Sequence, residues 1–142
     1  MSGRQVATNI RVLLRPAEKG EWAADSDRAL SWAQRLAPHL WRPPTDVFET
    51  DDTLIVVVEI AGMREDDFSV TLDKQALTVS GSRAGATGPR AYHQMEIAYG
   101  EFVAEVALPV PVDSSGVEAS YADGFLTVTL PKVKARRISV SG

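Results

Sequence analysis

The sequence predicts an all-β fold, an immunoglobulin-like antiparallel β-sandwich, preceded by a partly helical N-terminal arm and followed by an extended C-terminal tail. Three observations predict it. Between residues 43 and 131 apolar residues fall in short runs with two-residue alternation, clearest in Phe68-Ser-Val70-Thr-Leu72, Leu77-Thr-Val79 and Phe125 to Leu130. Turn-forming residues punctuate these runs at short, even intervals: Asp51-Asp52, Gly62 to Asp66, Asp73-Lys74-Gln75, Gly85 to Pro89, Pro109 to Gly116 and Asp123-Gly124. No helical periodicity lies between the runs, so they pair as antiparallel neighbours rather than through crossover helices.

In chain order, residues 1–42 form the arm. From Asp25 to Trp41 the apolar positions Ala29, Leu30, Trp32, Ala33, Leu36, Ala37, Leu40 and Trp41 follow the spacing of an amphipathic helix. Asp25, Ser26 or Asp27 can cap its start, and Pro38 kinks or ends it. Trp22, Trp32 and Trp41 all belong to this segment, which either packs on the body or stays a loosely held apolar arm that contacts other subunits or unfolded chains. Pro43-Pro44 stops the helix and favours extended backbone. Strands are expected near 45–49, 53–60, 67–73, 76–82, 92–98, 101–108, 117–121 and 125–130, spanning a body of residues 43–131. The Asp123-Gly124 pair makes a tight hairpin turn, and Pro131, lacking an amide donor, ends the last strand. Residues 132–142 are a tail in which Ile138 and Val140 sit one residue apart among basic and polar neighbours. If the tail is extended both point the same way, as a two-point plug for a groove on a folded surface.

Composition narrows the functional classes. With 142 residues and 44% hydrophobic content the chain can bury a core. The run Leu54 to Val58 is far shorter than the roughly 20 residues that span a bilayer, so no membrane insertion is expected. Val12-Leu13-Leu14 is too brief for a secretion signal, and a cytoplasmic location is the expectation. The absence of cysteine excludes disulfides and thiolate metal sites, and His39 and His93 stand far apart in sequence. Residues 1–42 carry seven Lys/Arg against four Asp/Glu, residues 43–131 four against fifteen, and the tail four against none. Lys132, Lys134, Arg136 and Arg137 are too small a patch for nucleic acid beside a body that repels phosphate, so they are expected to pair with the acidic body. There is no phosphate-binding glycine loop, dinucleotide fingerprint or nucleophile elbow. The carboxylate pairs Asp51-Asp52 and Asp66-Asp67 fall in turns, where aspartate is favoured for local hydrogen bonding rather than catalysis. No enzyme activity, cofactor or metal is expected.

Four stretches together resemble the small heat-shock protein, or alpha-crystallin, family of bacterial type. They are Pro44 to Glu49 leading into Leu54 to Gly62; Phe68 to Leu72 with Ala76 to Gly81; Tyr99-Gly100-Glu-Phe102 with Leu108-Pro109; and Ala119 to Leu126 with Asp123-Gly124, continuing to Pro131-Lys132 and the tail Ile138-x-Val140. The resemblance implies an ATP-independent holdase chaperone of the stress response that binds unfolding proteins, assembles as a dynamic homo-oligomer of dimers, and hands clients to ATP-dependent refolding chaperones. It implies that Ile138 and Val140 dock on a neighbouring subunit, in a groove lined by Phe68, Val70 and Leu72 on one strand and Val117 and Ala119 on the other. It implies further that Tyr92, His93, Met95 and Ile97 lie on a strand exchanged with a dimer partner, the alternative being a loop folded on its own subunit. Relatives commonly carry arginines near the end of this strand and after Gly-x-Phe, where this chain has Ile97 and Val103-Ala104-Glu105, so an apolar contact would replace a charged one. Client capture would fall to Trp22, Leu30, Trp32, Leu36, Leu40 and Trp41.

Overall fold

The computed structural model of the chain describes residues 7–15 and 40–134. Among the described residues nine strands build two sheets: β1 (Ala7–Ile10), β2 (Val12–Arg15), β3 (Thr45–Glu49), β4 (Thr53–Glu59), β5 (Phe68–Asp73), β6 (Ala76–Arg83), β7 (Gly100–Ala107), β8 (Glu118–Ala122) and β9 (Phe125–Pro131). One sheet has the order β1-β8-β9-β4-β3 and the other β2-β5-β6-β7. Every pairing is antiparallel except that of β2 with β5. The expected helix up to residue 39, with Trp22, Leu30, Trp32 and Leu36, lies outside the described residues, as do Ile138 and Val140.

Alternation in the sequence becomes the two faces of each sheet. Leu54, Val56 and Val58 of β4 and Leu126, Val128 and Leu130 of β9 are fully buried, and they pair in register, Leu54 with Leu130 and Val56 with Val128. From the opposite sheet Val70 and Leu72 of β5, Leu77 and Val79 of β6, and Phe102, Ala104 and Val106 of β7 meet them. Full burial of each such side chain contributes roughly 1.5–3 kcal/mol. All buried side chains among the described residues are apolar.

Turn chemistry fixes the registers. Asp123 and Gly124 both adopt positive φ (55° and 84°), the combination a two-residue hairpin turn requires, and Ala122 pairs with Phe125 across it. The Gly124 carbonyl accepts a hydrogen bond from the Ile60 amide at 2.8 Å, tying the hairpin to the end of β4. Of the carboxylate pairs, Asp67 accepts from the Arg64 amide at 2.9 Å and so caps the single 3₁₀ turn Glu65–Asp67 that leads into β5.

Two findings differ from the sequence reading. Within the arm expected to be partly helical, Ala7–Ile10 and Val12–Arg15 are strands of the two sheets. Residues 92–98 form no strand within the chain, because an extended segment becomes a strand only by pairing with an edge, and β7 is lined instead by β6 on one side and a bridge to Trp41 on the other.

Candidate functional site

β8 and β5 stand second in the two sheets, inside β1 and β2, on one side of the sandwich, where the rings of Phe68 and Tyr121 lie 4.9 Å apart. On β5 alternation turns Val70 and Leu72 into the core and leaves Phe68 half-buried. On β8 it buries Ala119, while Val117, just before the strand, is half-buried against the core. These are the five residues expected to line a groove, and the fold brings them to one place.

That place is filled by the chain's own N-terminal segment. β1 pairs with β8, Ile10 opposite Ala119; β2 pairs with β5, Val12 opposite Val70 and Leu14 opposite Leu72. The backbone changes sheets at Arg11, so one short segment covers the edges of both. Ile10 is 8% exposed and joins the core, and Val12 packs against it. Nothing in the alternation or turn chemistry of residues 7–15 marks them as part of the sandwich; the one available signal was that Ile10-Arg11-Val12 repeats the spacing of Ile138-Ser139-Val140.

Next to the groove, the Tyr121 hydroxyl donates to the Ile60 carbonyl at 2.8 Å and accepts from the Met63 amide at 3.3 Å, joining β8 to the turn after β4. Tyr121→Phe removes both bonds while keeping the ring, and is expected to lower stability by about 1–3 kcal/mol in urea titration. A change below a few tenths would mean that water replaces the hydroxyl without loss.

The long excursion between β6 and β7 has a fixed root and an outstanding tip. Arg83 donates through Nε and Nη2 to the Ala98 carbonyl (3.0 and 2.5 Å) and through Nη1 to the Ala61 carbonyl (3.3 Å). Its guanidinium lies 4.6 Å from the centre of the Trp41 ring and 5.6 Å from that of Tyr99. Residues 84–97 are exposed throughout, His93 included, and Tyr92, Met95 and Ile97 are 51%, 61% and 60% accessible.

Trp41, expected among the client-binding residues of the arm, is instead anchored. Its amide donates to the Glu101 carbonyl, its carbonyl accepts from the Val103 amide, and its indole Nε1 donates to the Gly100 carbonyl at 3.3 Å. Its ring centre is 5.6 Å from that of Phe102, with Arg83 over its face. A tryptophan with its indole donor satisfied and its ring covered is part of the sandwich. Leu40, its neighbour, is half-buried.

At the start of the tail, Lys132 bonds the Thr50 carbonyl at 2.8 Å and the Glu49 carboxylate at 3.0 Å. This half-exposed pair is worth about 0–1 kcal/mol, so it orients the tail's first residue rather than fastening it. Among the described residues no group of three or more His, Cys, Asp or Glu side chains is placed to hold a metal ion, and no helix is long and apolar enough to cross a membrane. Asp113 accepts from the hydroxyl and then the amide of Ser115, which together hold its carboxyl below the ordinary value. That local support of the turn Ser114–Gly116 is present at neutral pH and lost as the pH falls through the lowered value.

The described geometry is one of strand edges and exposed apolar segments on a β-sandwich, and known proteins are similar to the chain that builds it. The Hsp20/alpha crystallin family matches residues 46–141. Heat shock protein 16 of Schizosaccharomyces pombe is 35% identical over 112 residues, covering 74% of this chain and 78% of that protein. Small heat shock protein C2 of Rickettsia felis is 31% identical over 105 residues, 70% of this chain and 68% of its own length. The solved hspA structure from Xanthomonas axonopodis superposes with a TM-score of 0.63 at 28% identity, covering 68% of this chain and 98% of that one. With the family's match extending over more than half the sequence and a relative 35% identical across 78% of its own length, this chain belongs to the Hsp20/alpha crystallin family of small heat-shock proteins.

Proposed function

We propose that this protein is an ATP-independent holdase chaperone, working as a dynamic oligomer of dimers that binds unfolding proteins and prevents their aggregation. The observation that carries the reading is the family match over residues 46–141, which supports a chaperone role. Capture falls to the apolar side chains of the arm (residues 1–42), Trp22, Leu30, Trp32, Leu36 and Leu40, with Trp41 anchoring the arm to the sandwich (residues 43–131). No covalent step is involved; burial of exposed apolar surface of the client supplies the affinity.

Dimers form through the excursion. Tyr92, His93, Met95 and Ile97 stand clear of their own subunit, and three of these side chains are large and apolar, which supports pairing with a partner's sheet. Dimers join through the tail (residues 132–142), Ile138 and Val140 entering the groove of Phe68, Val70, Leu72, Val117 and Ala119 on a neighbouring subunit. The cellular setting that fits is the cytoplasm, with ATP-dependent chaperones refolding the released clients.

Heat-induced aggregation of a model client, followed by turbidity without nucleotide at increasing ratios of this protein, tests the reading. Graded suppression is expected. No suppression at any ratio would remove the holdase assignment.

A further inference from the structure

The groove between β5 and β8 has two matching ligands in one sequence. Ile10-Arg11-Val12 and Ile138-Ser139-Val140 both place isoleucine and valine one residue apart around a polar residue, and in extended backbone the two side chains project to the same side roughly 6.6 Å apart. The first of these is seated: Ile10 lies opposite Ala119 and Val12 opposite Val70. Those are residues of the groove assigned above to the tail.

We propose that the N-terminal segment Ala7–Arg15 is an internal competitor of the tail, occupying the groove of its own subunit and yielding it to Ile138 and Val140 of a second copy. The inference deepens the assembly reading and rests on its tail-docking step.

Mutual exclusion follows from the backbone. Each edge strand has a single outward row of amides and carbonyls. β1 takes that of β8 and β2 takes that of β5. A second segment cannot bond the same row, and Ile10, buried in the core at 8% exposure, holds the space that an incoming aliphatic plug needs. The contest is also even in kind, since each segment offers two β-branched side chains. The N-terminal segment has the advantage of a tether, which raises its local concentration to the millimolar range for a flexible connection. A tail gains the same advantage only once its subunit is held in an assembly by other contacts. The groove is therefore closed on isolated subunits and opens to tails as copies collect. Release of the segment would also free Leu13 and Leu14, each already 50% exposed, along with Ile10 and Val12, adding a short apolar stretch to the arm.

The arithmetic sets the expected effect. A groove filled from within about nine-tenths of the time weakens the apparent affinity for any tail about tenfold, because the competent fraction divides the intrinsic affinity. The test uses the full chain carrying Ile138→Ala/Val140→Ala, so that its own tails do not compete, and a fluorescent peptide of residues 132–142 as probe. Adding Ile10→Ser/Val12→Ser is expected to tighten peptide binding about tenfold. Because Ile10 is a core residue, a second variant compares two redox states of one protein, so that any cost of replacing Ile10 is common to both arms. The chain has no cysteine, so Ile10→Cys/Ala119→Cys places a cross-strand pair suited to a disulfide that locks the segment in place. The oxidised form should bind no peptide, and reduction should restore binding. Equal affinity in oxidised and reduced forms would overturn the competition and leave tail docking intact. Absence of peptide binding in every variant, the Ile10→Ser/Val12→Ser chain included, would overturn tail docking itself and the competition with it.

Discussion

Phe102→Ala is expected to destabilise the sandwich by about 3–5 kcal/mol, the range for removing a buried aromatic side chain and leaving a cavity. Phe102 is 1% exposed and links the elements that the function needs. Its ring centre lies 5.6 Å from that of Trp41, where the arm joins the body, and 6.4 Å from that of Phe68, beside β8; Phe68 in turn lies tilted against Tyr121. The site cannot collapse easily around the loss. Gly81 faces the ring so closely that a Cβ there would come within 2.9 Å of Phe102 Cζ and 2.7 Å of the Asp67 carbonyl, which shows how tightly backbone and ring are fitted. Urea unfolding at a fixed subunit concentration measures the effect, since assembly would otherwise shift the apparent stability. For a domain of this size a loss of that order lowers the melting temperature by roughly 4–8 °C per kcal/mol. A loss below about 1 kcal/mol would mean that Trp41 and Phe68 close over the gap, and that the aromatic chain from arm to groove is not a continuous support.

Ile138→Ala/Val140→Ala is expected to shrink the assembly to units no larger than its dimeric building block, as measured by light scattering. Burying the two side chains gains roughly 3–6 kcal/mol before the cost of ordering the tail is subtracted. One such contact is weak, so the proposed assembly would depend on many acting together. Truncating both plugs removes most of the apolar area from every contact at once, so the loss is multiplied across the particle. An unchanged mass would sink the tail assignment. On the proposed assembly the same weakness is expected to make subunit exchange fast, and heating to raise both tail release and the supply of unfolded clients.

Most strands could be read directly because alternation is a local property. β3 to β9 all lie within a residue or so of the expected ranges, and Asp123-Gly124 turns where its two positive-φ positions demand. Tyr92 to Ala98 is no strand within its own subunit for the opposite reason: its composition suits β structure, but pairing is set by residues far away in the chain or on another copy, which no local pattern reports. The half-buried or buried placement of Phe68, Val70, Leu72 and Ala119 on β5 and β8 was legible because it follows from strand phase. Trp41 was misplaced because helical spacing continues up to it, while the hydrogen bonds that hold it come from Gly100, Glu101 and Val103, some sixty residues away.

The sequence by itself determined the sandwich class, the phase of its strands, the absence of thiol chemistry and the presence of an Ile-x-Val tail, all of which depend on residues close together in the chain. Only the tertiary structure decided what occupies the edges of β5 and β8. Nine residues from Ala7 to Arg15 carry too little pattern to declare themselves strands; they become so because two open edges lie side by side and Ile10 fits between them, a condition that exists only after the rest of the chain has folded.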